Sequence, residues 1–269
     1  MSPHLTLFTK QDSSPEGLPH WGLALGTHRT RNFSLDEIGT LTMVQEVAIG
    51  VKEASAQANL SPDQVHFVQI KCSLVTAHRR LELNASTLQD SYQSIAFSRG
   101  VSALGVAVAL GELDYPQITE EAICHNYSLY STVASTSAGV ELQNCEILVL
   151  GNAPTSTSSF VIGHSVMQHA LDTDEVHTAI ASTGQPIDAL VNVFAKAEAN
   201  PSGTILGCRH TMLDDSDISH TRMARSVVGA VIASIVRDSM IYVSGGSEHQ
   251  EPAGGGPIAA IAKRPDGQS

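Results

Sequence analysis

Cationic side chains are few in this chain. Fifteen Lys and Arg stand against 27 Asp and Glu, a formal net charge of −12 with an isoelectric point near 5.3. A field of that sign repels phosphate backbones and anionic lipid, so neither a nucleic-acid nor a membrane-surface partner is expected, although a small cationic patch inside a cleft is compatible with it. Cysteines are equally sparse. Cys72, Cys124, Cys145 and Cys208 lie far apart and form no C-x-x-C pair, which excludes a disulfide framework and a structural zinc site. Long apolar runs are missing too: the longest, at 227–236, has ten residues, against the roughly 20 that span a bilayer. Residues 1–20 contain His4, Lys10, Asp12 and Glu16 and no apolar run of the signal-peptide kind, and the expectation is a cytoplasmic protein. The glycines at 254–256 fit neither a GK[ST] nor a G-x-G-x-x-G frame, so no nucleotide loop is read there. Aromatic residues make up only 4% of the chain, yet 42% of its 269 residues are hydrophobic. That content excludes disorder, and the length allows one large domain or two smaller ones.

What the sequence does have is an internal repeat. One copy runs HFVQIKC (66–72), SRGVSALGVAVALGEL (98–113) and STSAGVE (135–141), followed by ILVLGN. The other runs LVNVFAKAE (190–198), ARSVVGAVIASIVRD (224–238) and YVSGGSE (242–248), followed later by PIAAIAKR. Each has an apolar strand ending in lysine, an arginine opening a helix of small residues, and a serine–small–glycine turn between two strands. Arg99 follows Lys71 by 28 positions and Arg225 follows Lys196 by 29. Matched order and spacing point to duplication.

Each copy reads as α/β. WGLALGT (21–27) and HFVQI (66–70) are strand candidates. Between them Ser34-Leu-Asp-Glu37 has capping-box form, and residues 38–58 carry helical spacing. The segments 100–112 and 226–236 are dense in Ala, Gly, Ser and Val, as suits a helix packed closely on a sheet, though the β-branched residues of the second also admit a strand. A further helix starts at Thr173 and ends near Gly184. Gly- and Pro-rich stretches at 153–158, 200–207 and 252–257 place a boundary near 155. SPHLTLF (2–8) resembles the strand that closes a repeat, with nothing before it. The organisation expected is a first-unit remnant over 1–15, one unit over 16–154 and another over 155–269.

Lysines ending buried strands are costly unless paired. Taken singly, Lys71 or Lys196 could emerge at a sheet edge and solvate. Filled twice, each time with a downstream arginine and a serine turn, the position suggests convergence on one cleft. There, mutual repulsion and desolvation would favour a neutral lysine amine able to take a serine proton, a Ser–Lys dyad. Backbone N–H groups of Ser137-Ala138-Gly139 and Ser244-Gly245-Gly246 could bind carbonyl oxygens, and arginine forks suit a planar ligand with carbonyl acceptors. Other residues carry weaker signals. His210, Asp214, Asp215 and Asp217 lack the glycine and distal glutamate of a calcium loop, so a solvated turn is expected. His249 reads as an exposed side chain and Cys72 as a packed thiol.

These motifs resemble those of the cyanuric acid amidohydrolase/barbiturase family of ring-opening amidohydrolases. The matching segments are HFVQIKC, FSRGVSALG (Phe97 standing where the family has Tyr), STSAGVE, NVFAKAEA, RHTMLDDSDI, AVIAS and YVSGGSEHQ-x-PAGGGP, and they extend from residue 2 to about 263. The resemblance implies an α/β fold of tandem homologous units around a pseudo-threefold axis, here two complete units plus the last strand of a third. It implies that Ser137 is the nucleophile and Lys71 its base. Arg99, Ala138, Arg225, Ser244, Gly245 and Lys196 would hold the substrate. It further implies a structural divalent cation, Mg²⁺ or Ca²⁺, held near Glu198, Ser247, Gln250, Glu251, Pro252 and Gly255 mostly through backbone carbonyls, with no organic cofactor. Glu251 stands where the family often has Gly. The family's first Lys, Arg and serine turn fall upstream of Met1, so a cleft with one wall missing, little turnover by this chain alone and self-association through an uncovered face are expected.

The activity implied is hydrolytic opening of cyanuric acid, a small planar cyclic imide, to carboxybiuret and then biuret and CO₂, by a homo-oligomer that is a tetramer by resemblance. The alternatives are barbiturase action on barbituric acid, and a truncated non-catalytic paralogue that binds cyclic imides or assembles with full-length subunits.

Overall fold

The β-branched and apolar stretches of both repeats form the strands, and the small-residue stretches form the helices that cover them. The structure, a computed structural model, describes residues 2–9, 20–82, 91–213, 217–245 and 250–265. The first repeat contributes β1 (His20–Arg29), α1 (Leu41–Gln57), β2 (Val65–Cys72), α2 (Ala77–Glu82), α3 (Ser91–Leu110), β3 (Ala134–Ala138) and β4 (Glu146–Ser156). The second contributes β5 (Phe160–Met167), α4 (Thr173–Ala181), β6 (Leu190–Ala197), the short β7 (Thr204–Ile205) and β8 (Cys208–Arg209), α5 (His220–Val236), β9 (Tyr242–Gly245) and β10 (Gly256–Lys263).

The two four-stranded sheets repeat one topology, and the two-stranded β7–β8 sheet of the second repeat stands apart from it. One sheet has the order β1-β4-β2-β3 and the other β5-β10-β6-β9, so β1 matches β5, β2 matches β6, β3 matches β9 and β4 matches β10. Among the described residues, the only parallel pair in each of these sheets is the one bearing the motif residues, β2 with β3 and β6 with β9.

Strand side chains alternate between two cores, as pleating requires. Val68, Ile70, Ile147 and Val149 face α1 and α3, where they meet Met43, Val47, Val51, Val101 and Leu104. Ile258 and Ala260 face α4 and α5 with Val176, Val228 and Ile232. The intervening residues, Phe67 and Leu150 from one sheet and Ile162, Phe194, Ala259 and Ile261 from the other, close the seam between sheets. The layers run helix, sheet, sheet, helix. Each large side chain buried at the seam contributes roughly 1.5–3 kcal/mol. The segment Gln93–Leu110 of α3 is long and apolar enough to cross a membrane, but 61% of it is buried, and its centre (Val101, Leu104, Val106) packs in the first core.

Several local expectations are corrected. Ser34 and Glu37 do bond, Ser34 N–H donating to Glu37 Oε2 at 2.9 Å, but they close a turn and the helix begins later, at Leu41. The Glu37 carboxylate is also taken by the Arg31 guanidinium at 2.7 and 2.8 Å, which anchors the turn instead of a helix start. The segment 226–236 is helical within α5, and neither arginine opens its helix: α3 begins at Ser91 and α5 at His220, several residues ahead of Arg99 and Arg225. Residues 2–8 form no strand. They run along the second sheet with one backbone bond, Ser2 N–H to Ser239 O at 2.9 Å, a bond from Asn192 Nδ2 to Thr6 Oγ1 at 2.7 Å, and Phe8 stacked on Phe194. With Leu5 and Leu7 exposed and no ladder to join, the segment is a strap.

Candidate active site

The parallel ladders set the site. Lys71 lies directly opposite Ser137 where β2 pairs with β3, and Lys196 lies directly opposite Ser244 where β6 pairs with β9. A lysine and a serine on adjacent strands in the same register project to the same face. Duplication has therefore built the same pair twice.

The two pairs differ in their surroundings. Lys196 is 1% exposed, among the largest fully buried side chains. Its ammonium donates to Ser244 Oγ at 3.3 Å and to the carbonyl oxygen of Thr136, the residue before Ser137 in the other unit. Those bonds offset the cost of burying a charge. Lys71 is half-exposed, and its Nζ lies 3.7 Å from Glu141 Oε1. With 42% and 60% of these two side chains exposed, the ion pair is screened and worth at most about 1 kcal/mol, too little to fix Lys71 in one place. Gly139 sits beneath this pair: a Cβ there would come 2.5 Å from Lys71 Cε and 2.4 Å from Glu141 Oε1.

Both arginines lie beside the serine strands. The Arg99 carbonyl accepts from Thr136 Oγ1 at 3.2 Å, and the stem of Arg225 crosses Gly245, where a Cβ would come 2.7 Å from Arg225 Cγ. The two halves converge at Cys72. Burial pushes the Cys72 thiol up, and Ser98 and the charges of Arg99 and Lys196 oppose this only in part. Cys72 is a packed thiol, its Sγ 3.4 Å from the Ser137 carbonyl oxygen. Gly139 N–H is spent on Cys72 O at 2.9 Å, which corrects its expected role toward a ligand. Successive N–H groups of a strand alternate in direction, and β3 is an edge strand, so the Ala138 N–H points off the sheet and is free of the β2 ladder.

Of the residues expected near a cation, Glu198, Glu251 and Pro252 line a small cavity together with Tyr127, Ala199, Pro201, Ala253 and Gly254, while Gln250 and Gly255 are not among its lining residues. Glu198 and Glu251 are both buried, and Glu198 Oε1 has no hydrogen-bond partner. An orphaned buried carboxylate oxygen is the signature of a position that a cation fills. Burial, then Cys124 and Glu198, push the Tyr127 phenol up. The Gln250 side chain is committed elsewhere, accepting from Cys124 N–H at 2.5 Å and donating to Leu129 O at 2.6 Å, so only its carbonyl could face a cation. Pro252 O accepts from Gly255 N–H at 2.8 Å, a bond that shapes the same loop. Among the described residues no three His, Cys, Asp or Glu side chains gather as a metal cluster, which leaves two carboxylates and backbone carbonyls as donors.

Ser247, Gly246, His249, Asp214 and Asp215 lie outside the described residues. His210 uses both ring nitrogens, Nε2 against Asn200 O at 3.0 Å and Nδ1 accepting Met212 N–H at 3.1 Å, so it is a structural histidine. Asp217 is exposed, in keeping with a solvated turn. Among the described residues all four cysteines are free thiols. The sequence reading missed Glu141, although it stands inside the STSAGVE repeat motif, and it missed the side-chain role of Gln250, which local spacing does not reveal.

Comparison with known proteins gives the family and the fold. The family model described as amidohydrolase ring-opening protein matches residues 1–263. A cyanuric acid amidohydrolase of Enterobacter cloacae is 48% identical over 283 residues, covering 98% of this chain and 76% of that protein. One from Bradyrhizobium diazoefficiens is 46% identical over 280 residues, covering 99% of this chain and 75% of its own. The crystal structure of cyanuric acid hydrolase from A. caulinodans superposes with a TM-score of 0.85 at 44% identity, over 91% of this chain and 71% of that one. A second solved cyanuric acid hydrolase, described as an evolutionary innovation by structural concatenation, gives the same TM-score and covers 94% of this chain. With its duplicated sheets and paired Lys–Ser registers, the chain belongs to the ring-opening amidohydrolase family.

Proposed function

We propose that this chain hydrolyses cyanuric acid by opening its ring, with Ser137 as nucleophile and Lys71 as base. The observation that carries the reading is the doubled register, Lys71 opposite Ser137 and Lys196 opposite Ser244, with Lys196 tied into the strand that bears Ser137. In its amine form Lys71 takes the Ser137 hydroxyl proton as Oγ attacks a ring carbonyl carbon. The tetrahedral oxyanion faces backbone N–H groups such as that of Ala138, and Arg99, Arg225 and Ser244 hold the remaining carbonyls. The ring C–N bond then breaks, and the departing nitrogen takes its proton from the Lys71 ammonium. Water attacks the acyl carbon, giving its proton to Lys71. Ser137 Oγ leaves and takes that proton back from Lys71, restoring hydroxyl and amine, and the product is carboxybiuret, which loses CO₂ to give biuret.

A hard divalent cation, Mg²⁺ or Ca²⁺, fits the cavity at Glu198. Glu198 and Glu251 would offer carboxylates and Pro252 a backbone carbonyl from the cavity lining; carbonyls of Gln250 and Gly255 would come from the chain on either side, and Ser247 lies beyond the described residues. Bound there, the ion would neutralise two buried carboxylates and brace residues 250–255 ahead of Gly256.

The test is cyanuric acid turnover by wild type, Ser137→Ala and Lys71→Ala, with barbituric acid in parallel. Each substitution should lower kcat at least ~10²–10⁴-fold, the range lost with acid–base assistance. If Ser244→Ala abolishes turnover and Ser137→Ala does not, the roles are reversed. Faster turnover of barbituric acid would move the substrate.

A further inference from the structure

The side chain of Gln250 does something its backbone cannot. It is 2% exposed, and its polar atoms are satisfied by main-chain groups of the other unit. Oε1 accepts from Cys124 N–H at 2.5 Å, and Nε2 donates to Leu129 O at 2.6 Å, with Asn126 O at 3.5 Å. The partners are 121 to 126 residues away in sequence. This is a clamp across the repeat boundary.

The clamped segment is a strained one. Cys124 has φ +60°, a left-handed conformation that is unfavourable for a non-glycine residue. The bond from Gln250 is made at that residue's own N–H. On one side the turn is pinned by Ile123, fully buried in the first core. On the other it leads through Leu129 and Val133 into β3, where Val68 N–H bonds Val133 O at 2.9 Å and Ser137 follows. Helix α3 closes the arrangement just after Arg99: at Gly100 a Cβ would come 2.9 Å from Cys124 Sγ and 3.0 Å from Gln250 Cγ. One buried amide thus touches the Arg99 helix, the lead-in to the Ser137 strand and the segment that runs on from Ser244.

We propose that Gln250 is a positioning residue, whose side-chain amide sets the distance between the Ser137 strand and the Ser244 turn. The proposal rests on the reading that these two turns serve one site. It assigns the Gln250 side chain the task of holding the neighbouring unit, separate from any part its backbone plays beside the cavity at Glu198.

The experiment compares wild type, Gln250→Met and Gln250→Glu. Methionine keeps length and volume without polar atoms. Glutamate keeps the acceptor for Cys124 N–H and turns an acceptor toward Leu129 O. Hydrogen exchange over residues 120–131 and iodoacetamide labelling of Cys124 read the clamp without substrate, and kcat and KM for cyanuric acid read its consequence. Gln250→Met should raise both exchange and labelling at least tenfold and lower kcat at least tenfold, with KM within threefold. Gln250→Glu should fall between the two. Adding Cys124→Gly, which adopts positive φ without strain, should recover part of the loss in Gln250→Met. Wild-type exchange and labelling in Gln250→Met would overturn the clamp even if the enzyme proves inactive on cyanuric acid. Loosened exchange with unchanged kcat would overturn its positioning role while leaving the ring-opening reading intact. Should Gln250→Met fail to fold, the same measurements on Gln250→Glu decide.

Discussion

The ammonium of Lys196 donates to the carbonyl oxygen of Thr136, a residue of the other repeat that directly precedes Ser137. A buried charge of one unit is thus satisfied by the backbone that carries the proposed nucleophile of its neighbour. This sets the first prediction. Ser244→Ala deprives the Lys196 ammonium of one acceptor and should cost ~1–3 kcal/mol in urea unfolding. Lys196→Met, which removes the charge together with its desolvation cost, should leave stability within about 1 kcal/mol of wild type. Unchanged stability in Ser244→Ala would mean that its hydroxyl is not a needed partner.

Glu198 should respond to cations. Its unpartnered buried Oε1 lies in the cavity with Glu251, so Mg²⁺ or Ca²⁺ added to cation-stripped protein should raise Tm. At a hundredfold excess over Kd the stabilisation is about 2.7 kcal/mol. Glu198→Gln, with a neutral amide in place, should abolish the dependence. A rise of the same size in the variant would move the cation elsewhere.

A pair of histidines should make the fold acid-sensitive. His66, on a bulge of β2, and His164 of β5 face each other across the seam with Nδ1 atoms 2.8 Å apart, one donating and one accepting. Burial, and then His164, pull His66 down from its ordinary value near 6.5 to about 4, and burial lowers His164 as well. The folded state therefore binds fewer protons than the unfolded chain between those values. The stability it contributes is intact above pH ~6.5, falls as pH drops toward 4 and amounts to roughly 3 kcal/mol at most. Thermal melts of wild type and of a His66→Leu, His164→Leu double variant from pH 7.5 to 4 would check this. A slope equally steep in the double variant would place the sensitivity in other groups.

Repetition made much of the site legible. Lys71, Ser137, Lys196 and Ser244 stand out because the same residue types recur in the same order, and parallel pairing of neighbouring strands then places each lysine opposite its serine. The helices at 100–112 and 226–236 were readable from small residues, but their starts were not, since residues ahead of Arg99 and Arg225 continue the turn. Ser34 and Glu37 carry a correct local signal, and Arg31 redirects it to a turn. Contacts between units left no local trace. Gln250 reaches Cys124, and His66 reaches His164, over separations that no period in the sequence encodes.

The seam between the sheets has a thermodynamic consequence. Phe67 and Leu150 of one repeat are covered by Ile162 and Phe194 of the other, while Lys196 and Gln250 find their acceptors and donors across the same divide. A half cut out at the β4–β5 turn would expose the aromatic seam to water and strand a buried ammonium and a buried amide. Cooperativity is enforced by those shared groups: the unit that unfolds is larger than the unit that was copied.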